Sequence, residues 1–356
     1  MEINTPTLLI DKEKCLLNIQ AMADKAKAAN AELRPHFKTP YSAEIASWFR
    51  GFGVTACTVS SVSMARYFAE NGWDDITIAF PYNPLEHKAI NELASKVKIN
   101  ILIESFESLN HAKAEIKNPV GYFIKIDVGT HRTGIDPRNE DLIKTLVQGE
   151  SEKTPFKGFL AHAGHTYGAK DATNIKWIFD GAEKVLTSLK EKFGGIISYG
   201  DTPSCSVIDD LSAFDELRPG NFVFYDWMQH EIGSCKFDAI AVCMACPVVA
   251  IHPERNEVVL YGGAVHFSKD FVLNRSKPSY GKVVALTESG WGNVILGDMD
   301  RLSQEHGIAR LNEKAIQQVK IGDLIGVIPV HSCLTADLQG HYRLTTGEKV
   351  EKIIKA

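Results

Sequence analysis

Lys38 sits in the stretch "AELRPHFKTPYS" with Arg34 and His36, each two residues from the next. In a strand, alternate side chains share a face, so all three cations are expected to point the same way. Neighbouring positive charge lowers a lysine's pKa, and a partly neutral lysine forms Schiff bases with aldehydes. The plainer alternative is a surface lysine at a strand end, its stem on apolar surface and its head in water. "GDTPS", Gly200 to Ser204, joins a glycine to two hydroxyls. A helix start there would suit an anion, although such a pentapeptide also makes an ordinary turn. His331 and Cys333 lie two apart in "VHSCL", read as a strand that puts both on one face. Imidazole with thiolate suits zinc, and two ligands would leave coordination positions open. A buried thiol beside a hydrogen-bonded histidine gives the same spacing.

These groups need elements to hold them. "TPTLLID" reads as a short strand, after which Asp11 caps a helix with Leu16, Ile19, Ala23 and Ala26 at helical spacing. Eight strands follow: "LRPHFK", "VTACTVS", "DITIAF", "INILIE", "YFIKIDV", "GFLAHAG", "IISYG" and "FVFYD". Helical stretches such as 43–52, 63–71, 85–96 and 172–193 separate them. The alternation predicts a parallel (β/α)8 TIM barrel, with an open doubly wound sheet as the alternative. In a barrel the site lies at the C-terminal strand ends. Lys38, "DVGTHRTG", "HAGHTY" and "YGDTPSCS" all fall at such ends, and "RPGNFVFYD" runs into the eighth strand. A lysine with a phosphate-binding loop opposite suggests pyridoxal phosphate. From about Ile240 the pattern turns β-rich, which predicts a second, mainly β domain that the N-terminal strand joins. Cys243 and Cys246 form a C-x-x-C in an apolar run, where strand geometry sends them to opposite faces as packing.

The chain has 356 residues, 44% of them hydrophobic and 23% charged, with a net charge of −5. That is globular composition, with no basic run to suggest nucleic acid and nothing to suggest an anionic membrane. No secretory signal or spanning segment is visible, and seven cysteines without a disulfide spacing pattern suggest free thiols in a reducing cytoplasm.

Taken together, "RPHFKT", "DVGTHRTG", "HAGHTY", "GDTPSCS", "RPGNFVFYD", "SQEHG" and "PVHSCLT" make the sequence resemble one family. It is similar to the fold-type III pyridoxal phosphate enzymes, in the branch of D-serine dehydratase and D-threonine aldolase. The resemblance implies an alanine-racemase-like barrel over 10–238. It also implies a β domain from 1–9 and 239–356, and commonly a homodimer. Lys38 would be the Schiff-base lysine. His36, Arg132, His162, Tyr167, Gly200, Asp201, Thr202 and Tyr225 would hold the cofactor, with His36 packing beneath its ring. His331 and Cys333 match the branch's metal pair, for zinc, or else manganese or magnesium. Pro40, Gln304 and His306 would face the substrate.

A cysteine in the second metal position resembles the dehydratases, whereas the aldolases typically carry aspartate there. The expected activity is water elimination from a D-β-hydroxy amino acid, giving a keto acid and ammonia. Retro-aldol cleavage to glycine and an aldehyde is the alternative. A racemase or a non-catalytic cofactor carrier stands further off. One departure stands out: the branch usually reads "KTH", and here Pro40 replaces the histidine.

Overall fold

A computed structural model describes residues 2–274 and 276–353. The chain forms two compact units. One comprises Gln20–Lys38 and Ser47–Gly220; the other comprises Met1–Ile19, Thr39–Ala46 and Asn221–Ala356.

In the first unit, eight strands pair in parallel around a ring. In chain order they are Glu32–Leu33, Cys57–Val59, Asp75–Pro81, Lys98–Ile103, Val120–Lys125, Phe156–Ala161, Ile196–Tyr199 and Glu216–Leu217. A parallel bridge between His36 and Thr58 joins the first strand's line to the second and closes the ring. Near-continuous apolar runs such as "INILI" suit strands buried on both faces. Helices alternate with the strands, and several carry side-chain caps. Ser61 accepts from the Met64 N–H at 3.2 Å, and Asp171 caps the long helix Ala172–Phe193. The (β/α)8 expectation is met.

Two strand expectations are corrected. Of "LRPHFK" only Leu33 lies in a strand, the pair Glu32–Leu33, because Pro35 lacks the N–H a ladder needs. The ring continues by single bonds: Arg34 and His36 N–H groups donate to the carbonyls of Leu217 and Pro219, at 2.8 and 2.9 Å. "FVFYD" is not a strand. Asn221–Val223 is a short 3-10 turn with all three residues buried, so its apolar character reports burial rather than extension. The eighth strand is Glu216–Leu217, and "RPGNFVFYD" follows it.

The face expected to gather three cations is divided. Arg34 is 2% exposed and enclosed by acids. Its Nε donates to Glu216 at 2.6 Å, and its Nη atoms donate to Asp75 at 2.6 Å and Glu32 at 3.3 Å. Arg34 is therefore paired with carboxylates inside the barrel rather than turned toward a shared cationic face. Removing one member of a buried pair costs about 3–5 kcal/mol, because the other charge is left unpaired. Arg34→Met is expected to lower unfolding stability by about that amount in urea, and adding Glu216→Gln to recover part of it. A single-variant loss below about 1 kcal/mol, the range of an exposed pair, would contradict the assignment.

The second unit holds a nine-stranded sheet, and the N-terminal strand Thr7–Ile10 lies within it. That strand pairs antiparallel with Val242–His252 and parallel with His341–Leu344. Cys243 and Cys246 are fully buried in Val242–His252. A Cβ on Gly326 would lie 2.8 Å from the Cys243 sulfur, and one on Gly262 would lie 2.6 Å from that of Cys246. Both thiols are packing groups whose pKa burial pushes up. Among the described residues no helix is long and apolar enough to cross a membrane.

Candidate active site

The barrel unit gathers most of the expected cofactor residues. Lys38 is half-buried, not at a strand end but in a turn just beyond the ring-closing His36. Its backbone N–H lies 3.4 Å from His36 Nδ1, which therefore accepts and leaves the ring proton on Nε2. Burial lowers the His36 pKa well below the usual imidazole value, and the charges of Lys38, Arg218 and Arg132 lower it further. His162 follows the sixth strand. Its Nδ1 donates to the Gly200 carbonyl at 2.6 Å, which fixes the tautomer. Burial again lowers its pKa well below normal, with Lys38, Lys125 and Arg132 adding to the effect. Both rings are thus neutral beside a group of cations.

Arg132 is exposed in the loop after the fifth strand. Asp127 ties that loop by accepting from the N–H groups of Gly129 and His131, each at 3.0 Å. A Cβ on Gly134, at φ +111°, would lie 2.5 Å from the Asp127 nitrogen, so only glycine closes the loop. Gly200 has a structural use as well. A Cβ there would sit 2.6–2.8 Å from Arg218 backbone atoms, so its bareness lets the adjoining strand lines approach. Asp201 caps Thr202–Val207, accepting from Ser204 N–H at 2.7 Å and Thr166 Oγ1 at 2.9 Å. Its other oxygen is buried with no hydrogen-bond partner among the described residues, and burial raises its pKa. Thr202 is buried, with its N–H 3.4 Å from the Tyr167 hydroxyl.

Two cations here escaped the sequence reading. Lys125 ends the fifth strand at 5% exposure, and burial, with Arg218 and Arg132 beside it, lowers its pKa to about 7. Arg218 is also buried; it donates to Ser198 Oγ and to the Ala161 carbonyl. A lysine inside the apolar run "YFIKIDV" was the available signal for the first.

The β unit holds the second group. His331 and Cys333 are not in a strand, because Leu324–Pro329 ends before them. His331 is the N-cap of helix Ser332–Leu338, and the two side chains still meet there in a hydrogen bond. Burial alone would lower the His331 pKa. Asp270, whose carboxylate accepts from Nδ1 at 2.6 Å, outweighs this together with Cys333 and Asp226, and raises it to about 11. The Cys333 sulfur lies 3.1 Å from Thr39 Oγ1 and 3.5 Å from Asn221 Nδ2. Asp226 fixes the turn before Cys333: one of its oxygens accepts from Ser332 N–H at 2.8 Å and from Asn221 Nδ2 at 2.6 Å.

Among the described residues no group of three or more His, Cys, Asp and Glu side chains is arranged around a metal position. The protein offers an imidazole and a thiol, a soft pair that leaves positions for water or substrate. Pro40 is buried, and its carbonyl accepts from the Tyr342 hydroxyl at 2.9 Å. Tyr225 is buried in this unit in a left-handed conformation, φ +47°. Gln304 and His306 are exposed where the hairpin Gly290–Leu302 to His306–Leu311 turns.

Residues 10–226 match the family described as alanine racemase, N-terminal domain, and residues 241–345 match the putative serine dehydratase domain. The chain belongs to the alanine racemase family, in its serine dehydratase branch. Among relatives of this family member is a D-serine dehydratase of Dictyostelium discoideum, 29% identical and aligned over 97% of this chain and 94% of that one. A D-threo-3-hydroxyaspartate dehydratase of Delftia sp. (strain HT23) is 25% identical over 94% of this chain and 92% of its own. A solved structure of a cysteine-to-alanine variant of D-threo-3-hydroxyaspartate dehydratase, in the metal-free form, superimposes with a TM-score of 0.90. It is 23% identical and covers 99% of this chain and 98% of that one, a likeness of fold. The two matches divide this family member much as its composition does, near residue 240.

Proposed function

We propose that this chain is a lyase that uses pyridoxal phosphate and a divalent metal to remove water from a D-β-hydroxy amino acid. The observation that carries the reading is the Cys333 thiol against the His331 imidazole and the Thr39 hydroxyl, with Thr39 next in the chain after Lys38. The donor set fits a metal: one nitrogen and one sulfur, with open positions. The barrel residues fit the cofactor. Lys38, Lys125, Arg132 and Arg218 all bear on His36 or His162, and this surplus of positive charge suits a phosphorylated aldehyde.

When bound, pyridoxal phosphate supplies a sink for the electrons left at the substrate α-carbon. The metal supplies Lewis acidity toward the β-hydroxyl. The protein's part is positional and protonic. Lys38 anchors the cofactor, and its Nζ then takes the α-proton. Arg132, Thr202 and Tyr167 hold the cofactor, and His162 orients against it through its bond to Gly200. His331 and Cys333 hold the metal, zinc by their chemistry, with manganese or magnesium as the other candidates. We extend the reading to a homodimer in a reducing cytoplasm, where seven free thiols would persist.

The test is product analysis with D-serine, D-threonine and the 3-hydroxyaspartate isomers. Keto acid and ammonia in equal amounts are expected. Glycine with an aldehyde, and no keto acid, would move the assignment to retro-aldol cleavage. Pro40 leaves the choice between the two reactions to the product test, since it brings no titratable side chain to the position after Thr39. Neither product from any substrate would end the lyase reading.

A further inference from the structure

We infer that Asp270 is a positioning residue for His331, fixing which ring nitrogen of that histidine is presented to the metal. The inference rests on the reading of His331 and Cys333 as metal ligands. Asp270 Oδ2 lies 2.6 Å from His331 Nδ1. A carboxylate only accepts, so Nδ1 carries a hydrogen and is occupied by Asp270, and Nε2 is the nitrogen left to face a metal. A ring free to turn could offer either nitrogen, whereas this one offers Nε2.

The loop that delivers Asp270 is itself held. Helix Ala264–Phe267 ends at Ser268, which takes a left-handed φ of +71° and turns the chain. The Asp270 N–H then donates to Ser268 Oγ at 3.2 Å. Two side chains of helix Ser332–Leu338 and its end reach back to the short helix. Thr335 Oγ1 donates to the Phe267 carbonyl at 3.1 Å, and Gln339 Nε2 donates to that of His266 at 2.9 Å. On the far side, Phe271 packs edge-on against Tyr280 at 6.0 Å. The helix that carries Cys333 is therefore tied to the loop that carries Asp270, and the two constraints meet at His331. Asp270 is 39% exposed, so as an ion pair it contributes little to stability. Its effect belongs in metal affinity, where carboxylates behind ligating histidines act.

The experiment measures zinc affinity of the cofactor-loaded protein by competition with a chromogenic chelator. Asp270→Ala is expected to weaken binding about 10–100-fold. Asp270→Asn, whose amide oxygen still accepts from Nδ1, should weaken it less and guards against misfolding of the alanine variant. At saturating cobalt(II), both variants should keep the native absorption bands of thiolate charge transfer and of coordination number. Native zinc affinity in Asp270→Ala overturns the inference. So does a changed coordination spectrum in the Asp270 variants, which would make Asp270 a ligand itself. The parent reading fails differently: His331→Ala and Cys333→Ala would then bind zinc as tightly as the native chain.

Discussion

Lys38→Ala is expected to lower turnover by about 10³-fold or more, because one amine is lost from two tasks, covalent anchoring and proton transfer. The variant should still fold, since Lys38 sits in a half-buried turn rather than in the Arg34 acid cage or the apolar strands. Borohydride should fix pyridoxal phosphate to the native chain at Lys38, as read by peptide mass, and leave the variant unlabelled. Added cofactor should still bind, held by Arg132 and its neighbours, and display altered visible absorption. A variant with native turnover would refute the role. Labelling at Lys125, a barrel amine whose pKa burial lowers to about 7, would transfer the role to that residue.

The second large effect is expected at Cys333. Lewis-acid stabilisation is worth several kcal/mol, and about 1.4 kcal/mol corresponds to a factor of ten. Cys333→Ala should therefore cost about 10²–10⁴ in turnover, and a chelator should do the same to the native protein. Metal content by elemental analysis should fall in parallel. Restoring zinc should rescue the chelated native chain and fail to rescue the variant. Cys333→Asp is the informative companion, because it keeps an anionic donor but exchanges sulfur for oxygen. A shift from keto acid to aldehyde product in that variant would tie the choice of reaction to this position. Full activity after exhaustive chelation would remove the metal from the reaction.

Much of this site was readable because its chemistry forces unusual residues into plain patterns. Lys38, Arg132, His162 and Thr202 all stand after apolar strand runs, and burial on both faces makes such runs conspicuous. Helix Ala172–Phe193 was legible to the residue, since Asp171 caps it and its amphipathic period is long. What escaped has physical reasons. Glu216–Leu217 is too short for any period, and the apolar run after it outweighed it. Arg34 looked like part of a cationic face because its acids come from positions 32, 75 and 216, which only the closed ring unites. Asp270 lies 61 residues from the histidine it meets, and no local spacing records that contact. His331 and Cys333 meet on a different element from the strand that their spacing suggests. An i,i+2 pair shares a face in a strand, but here a helix N-terminus and the grip of Asp226 bring the two side chains together instead.

The placement of Thr7–Ile10 between Val242–His252 and His341–Leu344 has a consequence for biosynthesis. The first strand to leave the ribosome gains its parallel neighbour, His341–Leu344, only after some 330 further residues are made. At about 5–20 residues per second, some 15–70 s separate the two events. Until Val242–His252 is made, this tetrapeptide has both hydrogen-bonding edges unmet, and one edge stays unmet thereafter, which is the form most prone to pairing with a stranger. Holding it off nascent neighbours is then a task for chaperones rather than for anything the finished fold displays.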